Sequence, residues 1–374
     1  MTTEALLLSP SDLRNELPGS NPARLLKLLY EEGDLSRADL ARAVGLTKAT
    51  VSSLIAEMIE QGLVIETRHR TVDRPGRPAV DLNIDYDNWT VIAVDLSADH
   101  ELRGALVDLK GTVYACESMP TGGALGGAAL RMAIELVDRL RERADRRILG
   151  IGICAPGIVD ANGRVLASHN LDWVGIPLQK EIEQHTGLPT CVANDANAAA
   201  LAERSLQGRD TDLMLVKIGY GVGAGIIANG KLILGSHFAA GEIGHVAIGE
   251  GVGPLCVCGR RGCLEATLSL PRLEARLQSA SSDDERVDVL SDAGHRLGIA
   301  LAPLVGSLGV EAVIVTGLPE TYTAPMLSAV KDALRPRITE ELLESLDLRT
   351  SRLGDDIMFQ GAVILVLGAV LGIP

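Results

Sequence analysis

The sequence predicts an α/β chain in three parts: a winged helix-turn-helix over residues 1–85, then one α/β lobe over 86–210 and a second over 211–374. Three observations carry that expectation. Residues 22–65 hold short apolar-striped helices punctuated by glycine and followed by a strand. Beyond Trp89, short apolar strands alternate with helical stretches. The order of an antiparallel hairpin followed by alternating helix and strand then occurs twice, as an internal duplication would give.

In the first part, Pro22 opens a helix that places Leu25, Leu26, Leu28 and Leu29 on one face, and Gly33 stops it. Ser36 is a natural N-cap for a short helix striped by Leu40 and Val44, which Gly45 breaks. Thr47 caps a longer helix carrying Val51, Leu54, Ile55, Met58 and Ile59. A short helix, a glycine turn and a second helix form the helix-turn-helix pattern. Ser36, Thr47, Lys48, Thr50, Ser52 and Ser53 then stand as candidate contacts to bases or phosphates in a major groove. A helical hairpin with a merely solvated polar face would fit these residues too.

The next segment favours the DNA reading. Residues 63–67 and 79–84 read as strands around a tip that places Arg68, Arg70, Arg74 and Arg77 within ten residues. Pro75 and Pro78 keep that tip extended, so its guanidinium groups can follow a narrow groove. Such a concentration stands out because Lys plus Arg is 35 against 49 for Asp plus Glu, a net charge of −14. That balance excludes a protein coated in basic surface, so nucleic acid must be met by a local patch.

The lobes are read as strands 91–96, 102–109, 112–117, 148–154 and 189–193, with helices at 128–143 and 196–205. The second lobe opens with a strand at Leu213, a glycine-rich turn over 219–225 and a returning strand. It continues to a strand at 312–316 and closes with a helix at 362–370. With 47% hydrophobic and 22% charged residues the core is ample, and with aromatics at 2% it must be built of Ala, Leu, Val and Ile. The terminal run GAVILVLGAVLGIP is short of the roughly 20 residues that span a bilayer and reads as a buried helix. The first residues lack the pattern of a signal peptide, so a cytoplasmic protein with reduced cysteines and no membrane association is expected.

Two constellations carry chemistry. His245, ten residues, Cys256-x-Cys258 and, after four more, Cys263 lie in one glycine-rich loop. One imidazole and three thiolates can wrap a tetrahedral Zn2+, and with no open fourth position the metal would be structural. Four reduced side chains without metal are the alternative. Around that loop stand Glu242 and Glu265, while Asn194-Asp195 ends a strand elsewhere. Carboxylates and an amide at loop ends can take the paired hydroxyls of a sugar, with Asp195 as the natural base for a hydroxyl. Asn194-Asp195 equally suits a plain helix cap.

Residues 241–265 (GEIGH…CxCGxxGCLE), residues 192–203 (VANDANAAALAE) and the winged module together resemble the ROK family of repressors, open reading frames and sugar kinases. The likeness is to the branch of xylose and N-acetylglucosamine repressors. It implies a two-lobed actin-like, ribonuclease-H-like sugar kinase fold behind the winged helix-turn-helix. It also implies that Asn194, Glu242, His245 and Glu265 hold a sugar ring beside Asp195. By position, Gly157 and Asn170 join that pocket.

The same likeness exposes departures at the nucleotide site. Where the family's kinases carry Asp-x-Gly-Gly-Thr, this chain reads Asp95-Leu96-Ser97-Ala98-Asp99. Where they carry Gly-Thr-Gly it reads Gly219-Tyr220-Gly221, and a third glycine-rich motif is Gly317-Leu318-Pro319. Side chains and charge where phosphate should approach imply that sugar binding is kept and phosphoryl transfer lost. The expectation is therefore a sugar-responsive transcriptional regulator, acting as a repressor on operator DNA as a homodimer or homotetramer. An ATP-dependent sugar kinase with an accessory DNA-binding head is the alternative.

Overall fold

The structure is a computed structural model and describes residues 19–69, 80–98, 100–207, 211–248 and 252–373. Arg70, Arg74, Arg77 and Asp99 lie outside the described residues, as does the side chain of Arg68.

Each helix of the head starts on a hydroxyl cap. α1 (Asn21–Glu32) begins where Ser20 Oγ accepts the Ala23 N–H, and stops at Gly33. After the short strand β1 (Leu35–Ser36), α2 (Arg37–Val44) opens with a capping box between Ser36 and Asp39 and ends at left-handed Gly45. α3 (Lys48–Glu60) is capped by Thr47. Strands β2 (Val64–His69) and β3 (Val80–Ile84) complete an antiparallel sheet in the order β1-β3-β2. Leu25, Leu29, Leu40, Val51, Ile55, Leu82 and Ile84 fill the core beneath it, each 2% exposed or less. The helix-turn-helix and wing strands stand as the sequence predicts. Ser36 requires a correction: it is buried, and its hydroxyl is committed to Asp39 at 2.7 Å, so it is unavailable to DNA.

The first lobe comprises β4 (Trp89–Asp95), β5 (Glu101–Asp108), β6 (Val113–Pro120), α4 (Gly126–Arg143) and β7 (Arg147–Ala155). A small sheet of β8 (Ile158–Val159), β9 (Val165–Ser168) and β10 (Trp173–Ile176) follows, then α5 (Leu178–Thr186), β11 (Thr190–Asn194) and α6 (Asp195–Gln207). The second lobe comprises β12 (Leu213–Ile218), β13 (Val222–Ala228), β14 (Lys231–Leu232), α7 (Glu265–Leu268), α8 (Leu270–Gln278) and α9 (Asp283–Leu308). It continues with β15 (Ala312–Thr316), α10 (Glu320–Leu334), α11 (Glu340–Ser345) and β16 (Asp347–Thr350), and the chain closes with α12 (Ile357–Val366) and a final turn to Leu371.

The two main sheets run β6-β5-β4-β7-β11 and β14-β13-β12-β15-β16. In each, the first three strands are antiparallel and the last two join in parallel, so the duplication read from the sequence is an identity of topology. One boundary differs from expectation. The glycine turn is only Gly219–Gly221, because Gly223 and Gly225 already pair with Lys217 and Leu215 in the ladder. Glycine is needed there because a Cβ at Gly225 would lie 2.3 Å from the Ala196 carbonyl of α6.

Helix α12 starts at Ile357, five residues before the predicted 362, and it does not pack on its own lobe's sheet. It lies on β4 and β7 of the first sheet, while its other side meets α6, which rests on β12 and β13 of the second. Phe359, Ala362, Val363 and Val366 are buried there. The stretch Gly354–Leu371 is apolar and long enough to cross a membrane by composition, yet 61% of it is buried inside the protein. The approach is close: a Cβ on Gly361 would lie 2.6 Å from the Ala198 carbonyl, and one on Gly152 2.3 Å from that of Ala362.

Candidate ligand pocket and metal cluster

The carboxyl ends of β4, β7, β11 and β12 converge between the lobes, where α/β sheets place ligands. A cavity of about 120 Å³ opens there, lined by Gly157, Asn170, Asn194, Asp195, Glu242, His245 and Glu265. All seven expected pocket residues therefore face one space. Ser97, His169 and Lys217, which the sequence reading did not select, line it as well.

Local bonding explains their placement. Asn194 Oδ1 accepts the Asn197 N–H at 3.0 Å, so the residue does cap α6, while its Nδ2 donates to Gly157 O at 2.9 Å. Cap and pocket roles are thus compatible in one side chain. Asp195 Oδ1 accepts the Ala196 N–H at 2.9 Å, leaving Oδ2 toward the cavity. Glu265, first residue of α7, reaches back so that Oε2 accepts the Val222 N–H at 3.1 Å. Glu242 is pushed up to about 7 by burial, then by the nearby charges of Asp195 and Glu265.

Lys217 changes the chemistry of the centre. Its Nζ lies 3.0 Å from Asp195 Oδ2, both side chains nearly buried. Burial alone would push the ammonium down, but the charges of Asp195 and Asp95 outweigh it and hold the pKa above the ordinary lysine value. Asp95 is buried, which raises its carboxyl, and its Oδ1 accepts from Ser97 N at 2.8 Å and Ser97 Oγ at 2.6 Å. Asp195 Oδ2, the carboxylate oxygen on the cavity side, is thus already engaged by Lys217. One signal for Lys217 was present in the sequence: it is the sole charge in the apolar strand Leu213–Ile218.

Beyond Lys217 and Ser97 a second cavity of about 420 Å³ continues toward Tyr220, Thr316, Gly317 and Leu318. Tyr220, in the Gly219–Gly221 turn, carries a phenol where the kinase pattern has a small hydroxyl, and it lines this cavity. The Tyr220 ring also meets that of His100 edge to face, with centroids 6.0 Å apart. His100 takes the left-handed region at φ 55.

Next to this cavity, which His245 also lines, ligand atoms of His245, Cys256, Cys258 and Cys263 all lie within 4.8 Å of one another. Cys256 Sγ is 3.6 Å from His245 Nδ1, and Cys258 Sγ 3.6 Å from Cys263 Sγ. Donors roughly 2.0–2.3 Å from a tetrahedral centre have such mutual spacings, so the residues fit a single metal ion. The loop is closed by bridges Ala247–Cys263 and Leu255–Arg261.

On the head, Thr47, Lys48, Thr50, Ser52 and Ser53 are all exposed along the N-terminal half of α3. Buried Val51, Ile55 and Met58 hold the opposite face. Side chains that can donate to phosphate and base edges therefore point away from the core.

The comparisons accord with this arrangement. Residues 91–369 match the ROK family and residues 17–75 the MarR family. The chain is 30% identical to the xylose repressor of Caldicellulosiruptor bescii, over 95% of this chain and 97% of that protein. The crystal structure of a ROK family transcriptional regulator, a homologue of the E. coli Mlc protein, superposes with a TM-score of 0.80 at 27% identity, covering 94% of this chain and 96% of the other. A ROK family glucokinase from Streptomyces griseus, solved with glucose and AMPPNP, gives 0.64 at 27% identity over 73% of this chain and 98% of its own. The part of the present chain beyond the kinase-like region includes its helix-turn-helix head, and the chain as a whole belongs to the ROK family.

Proposed function

We propose that this chain is a sugar-responsive transcriptional repressor without kinase activity. One observation carries the reading above others: Lys217 is ion-paired to Asp195, the residue that would activate a sugar hydroxyl, in a chain that also carries a DNA-reading head. Tyr220, which lines the second cavity where the family's kinases carry a small hydroxyl, supports it. A neutral sugar or sugar derivative sits among Asn194, Glu242, His245 and Glu265, with Gly157 and Asn170 at the edge of the ring. His245, Cys256, Cys258 and Cys263 hold a structural Zn2+ that fixes the loop carrying His245. Thr47, Lys48, Thr50, Ser52 and Ser53 meet operator DNA, and Arg68, Arg70, Arg74 and Arg77 follow the adjoining groove. The protein acts in the cytoplasm as a homodimer or homotetramer, since a symmetric operator is read by symmetric copies.

By linkage, a sugar that prefers one lobe arrangement must alter DNA affinity by the same factor that DNA alters sugar affinity. The test is a thermal-shift screen of D-xylose, D-glucose and N-acetyl-D-mannosamine, followed by DNA binding with and without each hit. A stabilising sugar whose effect disappears in Glu242→Ala and which changes DNA affinity is expected. ATP-dependent phosphorylation of any of these sugars, abolished in Asp195→Asn, would overturn the reading.

A further inference from the structure

The head is fastened to the first lobe by a compact set of bonds at the end of its recognition helix. α3 finishes in a Schellman turn: the Leu63 N–H donates to Met58 O at 2.9 Å and the Gly62 N–H to Ile59 O at 3.0 Å. The turn presents two carbonyls to the lobe. Gln61 O accepts from Arg147 Nη1 at 2.6 Å. Gly62 O accepts from Trp89 Nε1 at 2.8 Å and from Asn88 Nδ2 at 3.0 Å. The Arg147 guanidinium also lies over the Trp89 ring, 4.2 Å from its centroid, and Trp89 is fully buried. Gly62 is required twice over. Its φ is 73, and a Cβ there would lie 2.2 Å from Asn88 Nδ2.

What these residues are attached to matters more. Trp89 and Arg147 are the first residues of β4 and β7, and they are register partners in a parallel pair. At their far ends β4 finishes in Asp95, which pairs with Cys154, and β7 runs directly into Pro156 and Gly157 of the pocket wall. Seven residues of strand span about 20 Å. After a register shift between Thr90 and Val91, the two strands pair without a break from Val91–Gly150 to Asp95–Cys154 in the middle of the sheet, a ladder that can carry displacement along its length. A cation at the C-terminal end of a helix is also favoured by the exposed carbonyls there.

We propose that Arg147 is the positioning residue linking the pocket to the reading head: it pins the C-terminus of α3 to β4 and β7, so that a change of lobe closure at the far ends of those strands re-aims the recognition helix. The coupling rests on the regulator reading above, whereas the pin itself does not.

Hydrogen–deuterium exchange on the full-length chain tests it, comparing wild type, Arg147→Ala and Arg147→Lys, each without sugar and with saturating D-xylose, D-glucose or N-acetyl-D-mannosamine. In wild type, the sugar that protects the pocket segments 155–158 and 192–197 is expected to change exchange over 57–66. In Arg147→Ala the pocket protection should persist while the response over 57–66 is lost. The ratio of DNA affinities with and without sugar, measured on a duplex selected in vitro with the wild-type chain, should move toward one by about threefold or more. Arg147→Lys keeps a cation above Trp89 but loses the planar fork, and should give an intermediate response; it carries the comparison should the alanine variant not fold. A wild-type response over 57–66 retained in full by Arg147→Ala overturns the proposal, as does wild-type pocket protection with no response over 57–66. Should none of the sugars protect the pocket, it is the regulator reading that fails. The pin is then decided by sugar-free exchange: a rise of about tenfold or more at 61–63 in Arg147→Ala supports it, and unchanged rates overturn it.

Discussion

Replacing Lys217 with methionine isolates the feature on which the function turns. The substitution keeps the length of the side chain and removes its charge, leaving Asp195 and Asp95 in a largely buried space. At the observed 3.0 Å between Lys217 Nζ and Asp195 Oδ2, an effective dielectric of ~20 gives a gross attraction of about 5–6 kcal/mol. Breaking a buried pair from one side costs about 3–5 kcal/mol, because the remaining charge keeps its desolvation penalty. The sign with pH follows from the carboxylates. Asp95 is already held above the ordinary range by burial, and removal of the ammonium, whose charge lowers it, raises it further. For an acid whose folded value exceeds its unfolded one, stability is fully present below the unfolded value, near pH 4, and falls as pH rises through the folded value. The penalty of Lys217→Met should therefore be largest at neutral pH and shrink steadily as pH falls toward 4. Urea denaturation of wild type and variant at pH 7.5 and pH 5 measures this. The double variant Lys217→Met, Asp195→Asn should recover much of the loss, since both partners are then neutral. A neutral-pH loss under about 1 kcal/mol, or a loss of equal size at both pH values, would refute a buried ion pair at this centre.

Two further outcomes are expected. Arg74→Ala with Arg77→Ala should weaken DNA binding and flatten the slope of log affinity against log salt by about 2, roughly one per phosphate released; an unchanged slope would exclude a backbone role for the wing arginines. Elemental analysis of freshly purified protein should find about one zinc per chain, and Cys263→Ser should lower both that content and the melting temperature. Protein that is fully folded and metal-free at isolation would exclude the zinc assignment.

Much of the architecture was legible because it is written in local periodicity. The strand Ala312–Thr316 is five consecutive apolar or β-branched residues stopped by Gly317, and its ends coincide with prediction. The head helices announce themselves through Pro22, Ser36 and Thr47 on one side and Gly33 and Gly45 on the other. Asn194 and Asp195 could be named from the end of their strand, and Glu242, His245 and Glu265 from the segment that brackets the cysteines, whereas Gly157 and Asn170 followed only from the family resemblance. What escaped was information held by partners distant in sequence. Nothing near residues 357–366 says that the helix crosses to the other lobe's sheet, because a helix apolar on every side has no preferred face. Glycines 223 and 225 looked like turn residues because the pairing that places them in a strand is not local, and the α6 backbone that excludes a side chain at Gly225 is far away in the chain. Ser36 was misassigned for the opposite reason. A hydroxyl competent to cap is also competent to touch phosphate, and only its burial decides between them.

The seam between α6 and α12 has a mechanical meaning. Each of these helices is seated on a different sheet, and they touch through Gly361 and Ala198 with almost no side chain between the backbones. Interlocked bulky residues would let such a contact move only in discrete jumps, one ridge to the next groove. A nearly smooth surface has no such detents. Any side chain added at residue 361 would act as a wedge, prising α12 off α6 and with it one sheet away from the other.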